Sequence, residues 1–355
     1  MMQENISVSY ILNVISKVGL LAECINESPD EWEAVLDNCE YVPVMYLSSF
    51  INYQAEYMTG TVDEHLDMSL IIYHDRKPVA VWPLCIYRNQ SVWKLGSNAG
   101  QICPPLFIND LAEKTRKNII DKCLAMIDML CINIGQMSWQ STESITAKGA
   151  SLWHRRIMYK GASVTVSHEL YVDLSKSLEE IRKNIRKSYK SLLTLGDRLW
   201  EIDVIDQNNP KVFNEFRELH YRVAGRVTRS LSTWKLQEQA IAQRQAFLIT
   251  LRDEQGDLVG GGLFYISASE GLYAVAAYNR DLFDKPLGHI VQMRAIQIMK
   301  KLGVQWYKIG ARPYTGDVPE PTAKELSIGK FKEGFATHVY FCTKLDCPVK
   351  YVEQV

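Results

Sequence analysis

A compact set of polar and aromatic residues between positions 220 and 234 has the chemistry of a binding site. Arg226 and Arg229 are three residues apart, and two guanidinium groups can grip a diphosphate through paired hydrogen bonds. Thr228 and Trp234 flank them, and an indole ring can stack on the face of a base or a sugar. His220 precedes the pair and can take a proton near neutral pH. We expect this segment to bind a phosphorylated ligand, although a charged loop in solvent has a similar composition.

A second candidate site is the stretch from Arg280 to His289, which lies between a predicted strand and a predicted helix. Unpaired N–H groups at a helix N-terminus attract phosphate, as does the partial positive charge there. Arg280 and Lys285 add charge, Gly288 allows close backbone approach, and Leu287 and His289 begin the helix. We expect a phosphate-bearing co-substrate here. The alternative is an ordinary loop with solvated cations.

The elements that must position these residues are clearest in the C-terminal half. In order, the patterns predict a strand at 199–206, a helix from Pro210 to Gly225, a second helix capped by Ser232 and Thr233, a hairpin around 253–256, a strand ending at Asn279, a helix closing at Gly303, and then strand, helix and strand up to Leu345. This alternation predicts a mixed sheet with helices on both faces.

The N-terminal half repeats this plan less completely. A hairpin around Asp75 is followed by a strand, a long helix over 111–130 and a short strand over 136–142. Such a repeat indicates a diverged internal duplication. We therefore expect an α/β protein of two tandem units, residues 1–165 and 166–355, each a mixed, mostly antiparallel sheet flanked by helices.

A basic helix is predicted near the start of the second unit. Ser177 and Glu180 form a capping box, and the apolar stripe continues to about Leu193. Five cations occupy the other sides of this helix: Arg182, Lys183, Arg186, Lys187 and Lys190. We expect most of them to be solvated. The alternative is that they meet the phosphates of an acceptor or of a tRNA.

Composition narrows the class of protein. The chain of 355 residues has a formal net charge of -1, so that no overall field draws it toward nucleic acid or an anionic membrane. Its eight cysteines form no CxxC pair and no cluster with histidine at zinc spacing, and we expect reduced core cysteines and no metal. No basic and apolar signal region and no run of about eighteen apolar residues is visible. These features favour a cytoplasmic protein acting on small molecules, with no membrane or nucleic-acid partner.

Residues 199–345 resemble the GNAT superfamily of N-acyltransferases in the order of their elements. The duplication resembles the two-unit arrangement of Fem-type peptidoglycan aminoacyltransferases. Three segments are similar to Fem-type features: IRKNIRKSYKSLL to a basic helix, GGGLFYI with LYAVAAYN to the central hairpin, and IGKFKEGF at 328–335 to a Phe-Lys-x-x-Phe signature. The stretch AGRVTRSLSTW at 224–234 instead suggests a specialised subgroup, which we place by resemblance among the sugar N-acyltransferases of surface-polysaccharide synthesis.

The resemblance implies roles for particular residues. The acyl carbonyl lies against LYAVAAYN, and a backbone N–H near Ala276 or Ala277 stabilises the oxyanion. His220, or a water that it orients, takes the ammonium proton, and Tyr314 protonates the departing thiolate. Lys332 matches the lysine of the Fem-type signature and is expected near the reacting carbonyl.

The resemblance implies acyl-CoA as the co-substrate and N-acyl transfer to a nucleotide-linked amino sugar as the reaction. Arg226, Arg229 and Arg312 would bind the acceptor. One departure leaves another donor or CoA pose open, because GNAT loops usually hold several glycines and this one holds only Gly288. The alternatives are a Fem-type aminoacyl-tRNA-dependent peptidoglycan aminoacyltransferase and an inactive GNAT-fold binding protein. Near-neutral charge and the lack of an inserted helical arm favour acyl-CoA over tRNA.

Overall fold

The computed structural model describes residues 8–97, 100–145 and 149–349. The chain forms two compact units. The first contains the described residues up to Val166 together with those from Phe341 onward, and the second extends from Ser167 to Tyr340. The sequence pattern assigns everything after residue 165 to the second unit. In the structure, residues from Phe341 onward instead group with the first unit, because they pair with one of its strands.

The first unit alternates short helices and strands. Its helices are α1 (Val8–Lys17), α2 (Pro29–Asp37), α3 (Ser48–Thr59), α4 (Glu113–Ile134) and α5 (Leu152–Tyr159), and its strands are β1 (Leu21–Cys24), β2 (Glu64–Asp67), β3 (Leu70–His74), β4 (Lys77–Trp82), β5 (Cys85–Asn89), β6 (Val92–Gly96), β7 (Leu106–Phe107) and β8 (Ser138–Ile145). One sheet has the order β1-β3-β4-β7 and another the order β2-β5-β6. The predicted hairpin is confirmed, since Asp75 and Arg76 turn between β3 and β4 with φ of 50° and 62°.

The second unit begins within β9 (Ser163–Asp173) and ends within β15. Its other elements are α6 (Leu178–Asn184), α7 (Lys187–Leu199), β10 (Glu201–Ile205), α8 (Pro210–Ala224), α9 (Leu231–Ala242), β11 (Ala246–Arg252), β12 (Leu258–Ile266), β13 (Glu270–Tyr278), α10 (Leu287–Lys301), β14 (Trp306–Ala311) and α11 (Ala323–Glu333), followed by β15 (His338–Pro348). The strands of its sheet follow the order β10-β11-β12-β13-β14-β9. In the first unit, β15 pairs antiparallel with β8.

Two predicted helix boundaries are wrong in detail. The basic helix does not run unbroken to about Leu193: it ends at Asn184, and a second helix begins at Lys187 after Ile185 and Arg186 leave helical geometry. The helix over 231–242 is capped by Ser230 rather than by Ser232 and Thr233. The capping box of the first basic helix is confirmed, as are both ends of α8, which starts after Asn209 and stops at a left-handed Gly225.

Helices cover both faces of the second sheet, as predicted. Neighbouring residues of a strand point to opposite faces, and β12 shows which helix lies on each. A Cβ at Gly261 would lie 3.1 Å from Phe216 of α8, and one at Gly262 would lie 3.0 Å from Val291 of α10. The glycines therefore let both helices approach β12 closely. No helix of the described residues is long and apolar enough to cross a membrane.

Candidate active site

The central feature of the second unit is a separation between two neighbouring parallel strands. β13 and β14 pair at three positions: Glu270 with Trp306, Gly271 with Tyr307, and Leu272 with Lys308. In the described structure the pairing stops there, although β13 continues to Tyr278 and β14 to Ala311. Where a strand has no neighbouring strand, its backbone N–H and C=O groups are available to form hydrogen bonds with a ligand. A chemical group can therefore be held in the middle of this sheet.

β13 carries an irregularity beside the separation. Its register with β12 shifts at Leu263, which leaves Ala274 without a partner on β12. Such a bulge bends the strand and increases its local twist. The predicted oxyanion donors follow it directly: Ala276 is half-buried and Ala277 is buried.

Lys332 of α11 points into this separation. Its Nζ lies 2.8 Å from the position that a Cβ on Gly310 of β14 would take. It also lies 5.5 Å from the ring centroid of Tyr273 on β13. Burial lowers the pKa of Lys332 from its usual value. The geometry thus places a partly desolvated ammonium group between the two strands, where it can donate to a developing oxyanion.

Aromatic side chains cover the start of α10, where a donor phosphate is predicted. A Cβ on Gly288 would lie 3.1 Å from Cζ of Phe331, the neighbour of Lys332 on α11. The His289 ring packs edge-on against Tyr189 and Phe331, at centroid distances of 4.5 and 5.1 Å. Burial lowers the pKa of His289 to about 4. His289 therefore acts as a neutral packing residue of this cluster in the structure.

Tyrosine hydroxyl groups of both β13 and β14 lie near the separation. The hydroxyls of Tyr273 and Tyr278 are 2.9 Å apart, and Tyr307 donates to Oε1 of Gln292 at 2.5 Å. Burial raises the pKa of Tyr273 to about 12 and that of Tyr278 well above its usual value. Both groups stay protonated near neutral pH, so that the lining is polar and uncharged. Their spacing gives no recognisable motif, and only the fold brings them together.

The basic segment, residues 182–190, contacts the C-terminal end of α11. Arg186 donates through Nη2 to the carbonyl of Lys330 at 2.8 Å, and through its backbone N–H to that of Gly334 at 2.9 Å. Its Nη1 donates to the hydroxyl of Tyr189, which itself donates to the carbonyl of Phe331 at 3.3 Å. These contacts satisfy carbonyls that a helix end leaves open. They fix the segment of α11 that carries Lys332.

The predicted acceptor residues form a second cluster, on α8 and α9. The Arg229 guanidinium lies 4.8 Å over the Trp234 ring and donates to Gln237 Oε1 at 3.3 Å. Thr228 lies 3.5 Å from His220 Nδ1, and the His220 ring packs edge-on against Trp234. Burial, and then the charge of Arg229, lower the pKa of His220 to about 4. The imidazole is therefore neutral near pH 7, but its low pKa makes it a weak general base.

The remaining predicted residues lie apart from Lys332 or pack locally. Arg226, Arg280 and Lys285 are exposed. Arg312 stacks 4.2 Å over the Tyr314 ring, and its Nε forms an ion pair with Oε2 of Glu333 at 3.2 Å. Leu287 is buried in the core of the unit. Among the described residues, no cluster of three His, Cys, Asp or Glu side chains could hold a metal ion.

The first unit contains a parallel bridge that is enclosed by indole rings. The bridge joins Ile102 to Ser141 of β8. Fully buried indole rings surround it, with Trp153 at centroid distances of 5.7 Å from Trp82 and 6.1 Å from Trp139. Trp153 also donates to the Ser141 hydroxyl at 2.9 Å. Tryptophan side chains thus fill the space around this bridge.

The first unit also contains a buried carboxyl group beside an imidazole. Oε2 of Glu143 accepts from the Ser151 hydroxyl at 2.9 Å and lies 3.7 Å from Nδ1 of His154. Thr343 of β15 lies 3.3 Å from the same nitrogen. Burial raises the pKa of Glu143 to about 7 and lowers that of His154. The imidazole does not offset the desolvation of the carboxylate, because burial keeps the imidazole uncharged as well.

Comparisons with solved structures identify the fold. No family model and no curated protein matches the chain. The structure of FemX matches with a TM-score of 0.66 and 12% identity, over 92% of this chain and 96% of that one. L-PGS from Bacillus licheniformis matches with a TM-score of 0.56 and 14% identity, over 92% and 93%. A tandem GNAT protein from the clavulanic acid biosynthesis pathway matches with a TM-score of 0.51 and 9% identity, over 94% and 99%.

The chain therefore has an α/β fold of two tandem GNAT-like units, as the order of its elements predicts. At 9–14% identity these similarities concern the fold, which hosts acyltransferases, and function has to be argued from the site.

Proposed function

We propose that the protein transfers an aminoacyl group from an aminoacyl-tRNA to the amine of a diphosphate-linked sugar precursor. The observation that carries this proposal is the Lys332 ammonium group, which lies between β13 and β14 beside Gly310 and Tyr273. A carbonyl bound in the same place accepts a hydrogen bond from it. A desolvated cation there stabilises negative charge more strongly than one in water.

The covering of α10 supports tRNA rather than acyl-CoA as the donor. A pyrophosphate bound as the GNAT resemblance implies needs open space at Gly288, and Phe331 packs there. The loop before α10 also lacks the additional glycines of that motif. The likeness to FemX over more than nine-tenths of both chains agrees with the Phe-Lys-x-x-Phe resemblance, which implies a Fem-type donor.

The reaction replaces an ester with an amide. The acceptor amine attacks the ester carbonyl, and the carbonyl oxygen becomes an oxyanion that accepts from Lys332. The carbon–oxygen bond to the ribose then breaks as the amide forms. The proton lost by the amine is taken up by the departing ribose oxygen, since His220 has too low a pKa to hold it well. Binding both reactants in register supplies part of the rate acceleration.

The acceptor is assigned to the cluster on α8 and α9. Arg229 is fixed by Trp234 and Gln237, and its charge suits the diphosphate that links a nucleotide or a lipid to a sugar. Arg226 is exposed nearby in sequence and can add a second contact. The cytoplasmic location inferred from composition suits a donor of this kind.

A second candidate function keeps acyl-CoA as the donor and a nucleotide-linked amino sugar as the acceptor. The similarity to the tandem GNAT protein of the clavulanic acid biosynthesis pathway, whose structure was solved without AcCoA, favours it. This alternative requires α11 to move away from Gly288 when the donor binds.

Donor choice and Lys332 can be tested together. Purified protein is incubated with UDP-linked amino sugars or a peptidoglycan precursor, and with either acetyl-CoA or an aminoacyl-tRNA pool. We expect amide formation with the tRNA donor, and a loss of roughly 10²–10³ in kcat for Lys332→Met. Lys324→Met, at an exposed lysine on the same helix, is the matched control. Thiol release from acetyl-CoA with no use of the tRNA pool would favour the second candidate. Unchanged kcat for Lys332→Met would remove the lysine from the mechanism, and precursor binding without either reaction would indicate an inactive binding protein.

A further inference from the structure

The basic segment at residues 182–190 has two sides with different roles. It contains five cations and no carboxylate. On its inner side, Arg186 and Tyr189 hold the C-terminal end of α11. Asn184 adds a third link, because Nδ2 donates to the carbonyl of Ala336 at 2.6 Å. These contacts fix the segment to the helix that carries the catalytic lysine.

The outer side of the segment presents cations to solvent. Lys183 is held by Glu179 at 2.8 Å across one helical turn. Lys190 donates to the backbone carbonyl of Lys183 at 3.3 Å, which brings the start of α7 against the end of α6. Arg182, Lys187 and Lys190 are exposed cations of this segment, and Lys330 is an exposed lysine of α11 whose backbone carbonyl accepts from Arg186. We call these four residues the basic surface.

The nearest carboxylates do not neutralise this surface. Glu179 is engaged by Lys183. Glu333 lies 3.8 Å from Arg186 and 3.2 Å from Arg312, so that two inner cations share it. A local excess of positive charge therefore persists, although the whole chain has a formal net charge of -1. Such an excess attracts a polyanion at short range and is screened by salt.

We propose that the basic surface binds the phosphates of the RNA strand that leads to the aminoacylated end of the donor. This inference rests on the proposed function. The donor's reactive ester must reach Lys332, which lies within one helical turn of Lys330 on α11. Phosphates preceding the ester then fall beside cations that are tied to the same helix. Contacts of this kind position a nucleic acid without reading its sequence.

The basic surface also explains how a nearly neutral protein can use a highly charged donor. A positive surface spread over the whole molecule is unnecessary when a few cations are fixed beside the catalytic group. The expected binding is weak, falls with salt and does not depend on the base sequence of the stem.

The test uses a hairpin RNA of the tRNA acceptor stem that ends in CCA, with the full-length protein. Binding to the wild type and to the double variant Lys187→Gln/Lys190→Gln is measured by fluorescence anisotropy. The salt concentration is varied from about 20 to about 200 mM, roughly the range in which counterion release dominates. The matched control is Lys114→Gln/Lys117→Gln, because these lysines are exposed, three residues apart, and near the start of α4 in the first unit. Thermal unfolding checks that all three proteins fold.

We expect the Lys187/Lys190 variant to bind the hairpin roughly tenfold more weakly, or about 0.7 kcal/mol per lysine. The slope of log K against log salt should become shallower by about two, since each phosphate contact on a duplex contributes about 0.9. The control should match the wild type.

Two results would overturn the inference in different ways. If the wild type transfers the aminoacyl group from an aminoacylated hairpin but both double variants bind and react like it, the surface is wrong and the proposed function stands. If the wild type neither binds the hairpin nor uses its aminoacylated form, the donor assignment is wrong, and the surface loses its ligand with it.

Discussion

Replacing Glu143 with glutamine should stabilise the protein at alkaline pH, because the native carboxyl group is costly to ionise. Burial raises its pKa from 4.5 to about 7. The carboxyl group of Glu143 therefore binds a proton more tightly in the folded state than in the unfolded state. Its contribution to stability is fully present below about pH 4.5 and is lost as the pH rises through 7. Each pKa unit corresponds to about 1.4 kcal/mol, so that the loss amounts to about 3 kcal/mol.

His154 acts in the opposite direction at lower pH. Burial lowers its pKa, so that the neutral imidazole favours folding above about pH 6.5, and this contribution is lost as the pH falls. As the pH rises, the two groups therefore change the free energy of unfolding in opposite directions. Removing the carboxyl group removes only the alkaline decline.

The assay is urea unfolding followed by tryptophan fluorescence, at pH 5.5 and at pH 8. Glu143→Gln keeps the shape of the side chain and can still accept from Ser151. We expect a gain of about 3 kcal/mol at pH 8 and of about 1.4 kcal/mol at pH 5.5, where roughly half of the contribution is already lost. Glu27→Gln, at an exposed glutamate of the same unit, should change the midpoint little at either pH. An equal effect of Glu143→Gln at both pH values would refute the assignment of a buried, proton-binding carboxyl group.

Three further substitutions address the proposed active site. Gly310→Ala should lower kcat at least tenfold with little change in KM, because Gly310 has a φ of 126° and the new Cβ would lie 2.8 Å from Lys332 Nζ. Arg186→Ala should lower kcat by loosening α11, and Arg186→Lys should recover part of the lost kcat. In Arg186→Ala, the pH dependence of Lys332 acylation, followed by peptide mass spectrometry, should shift toward that of an exposed lysine. Arg229→Ala should raise the acceptor KM about tenfold through loss of a charged contact and leave the donor KM unchanged, and an unchanged acceptor KM would exclude the α8–α9 cluster.

Local patterns were sufficient to predict the order of elements from β10 to β15, whereas β9 was not predicted. Pro210 after Asn209 and a terminal glycine define α8 because each residue acts through its own backbone geometry. The capping box at Ser177 is equally local. The break at Ile185 was not predictable in this way, because it depends on tertiary contacts. Arg186 donates hydrogen bonds to carbonyl groups at the end of α11.

The candidate site was predictable only in part. Lys332 was found through its resemblance to a Fem-type signature, and the structure places it at the strand separation. Tyr273 and Gln292 gave no sequence signal, since each reaches the site only through the pairing of distant elements. His289 looked like a phosphate ligand because it begins a helix, and its packing against Phe331 depends on a residue more than forty positions later.

The grouping of residues from Phe341 onward with the first unit has a consequence for biosynthesis. β8 obtains its β15 partner only after the entire second unit has been translated. We therefore expect all residues of the second unit to be synthesised before the first unit is complete. During that time β8 has no β15 partner in the nascent chain. Ribosomal pausing or premature termination near residue 340 would leave the β8 edge open to pairing with other chains.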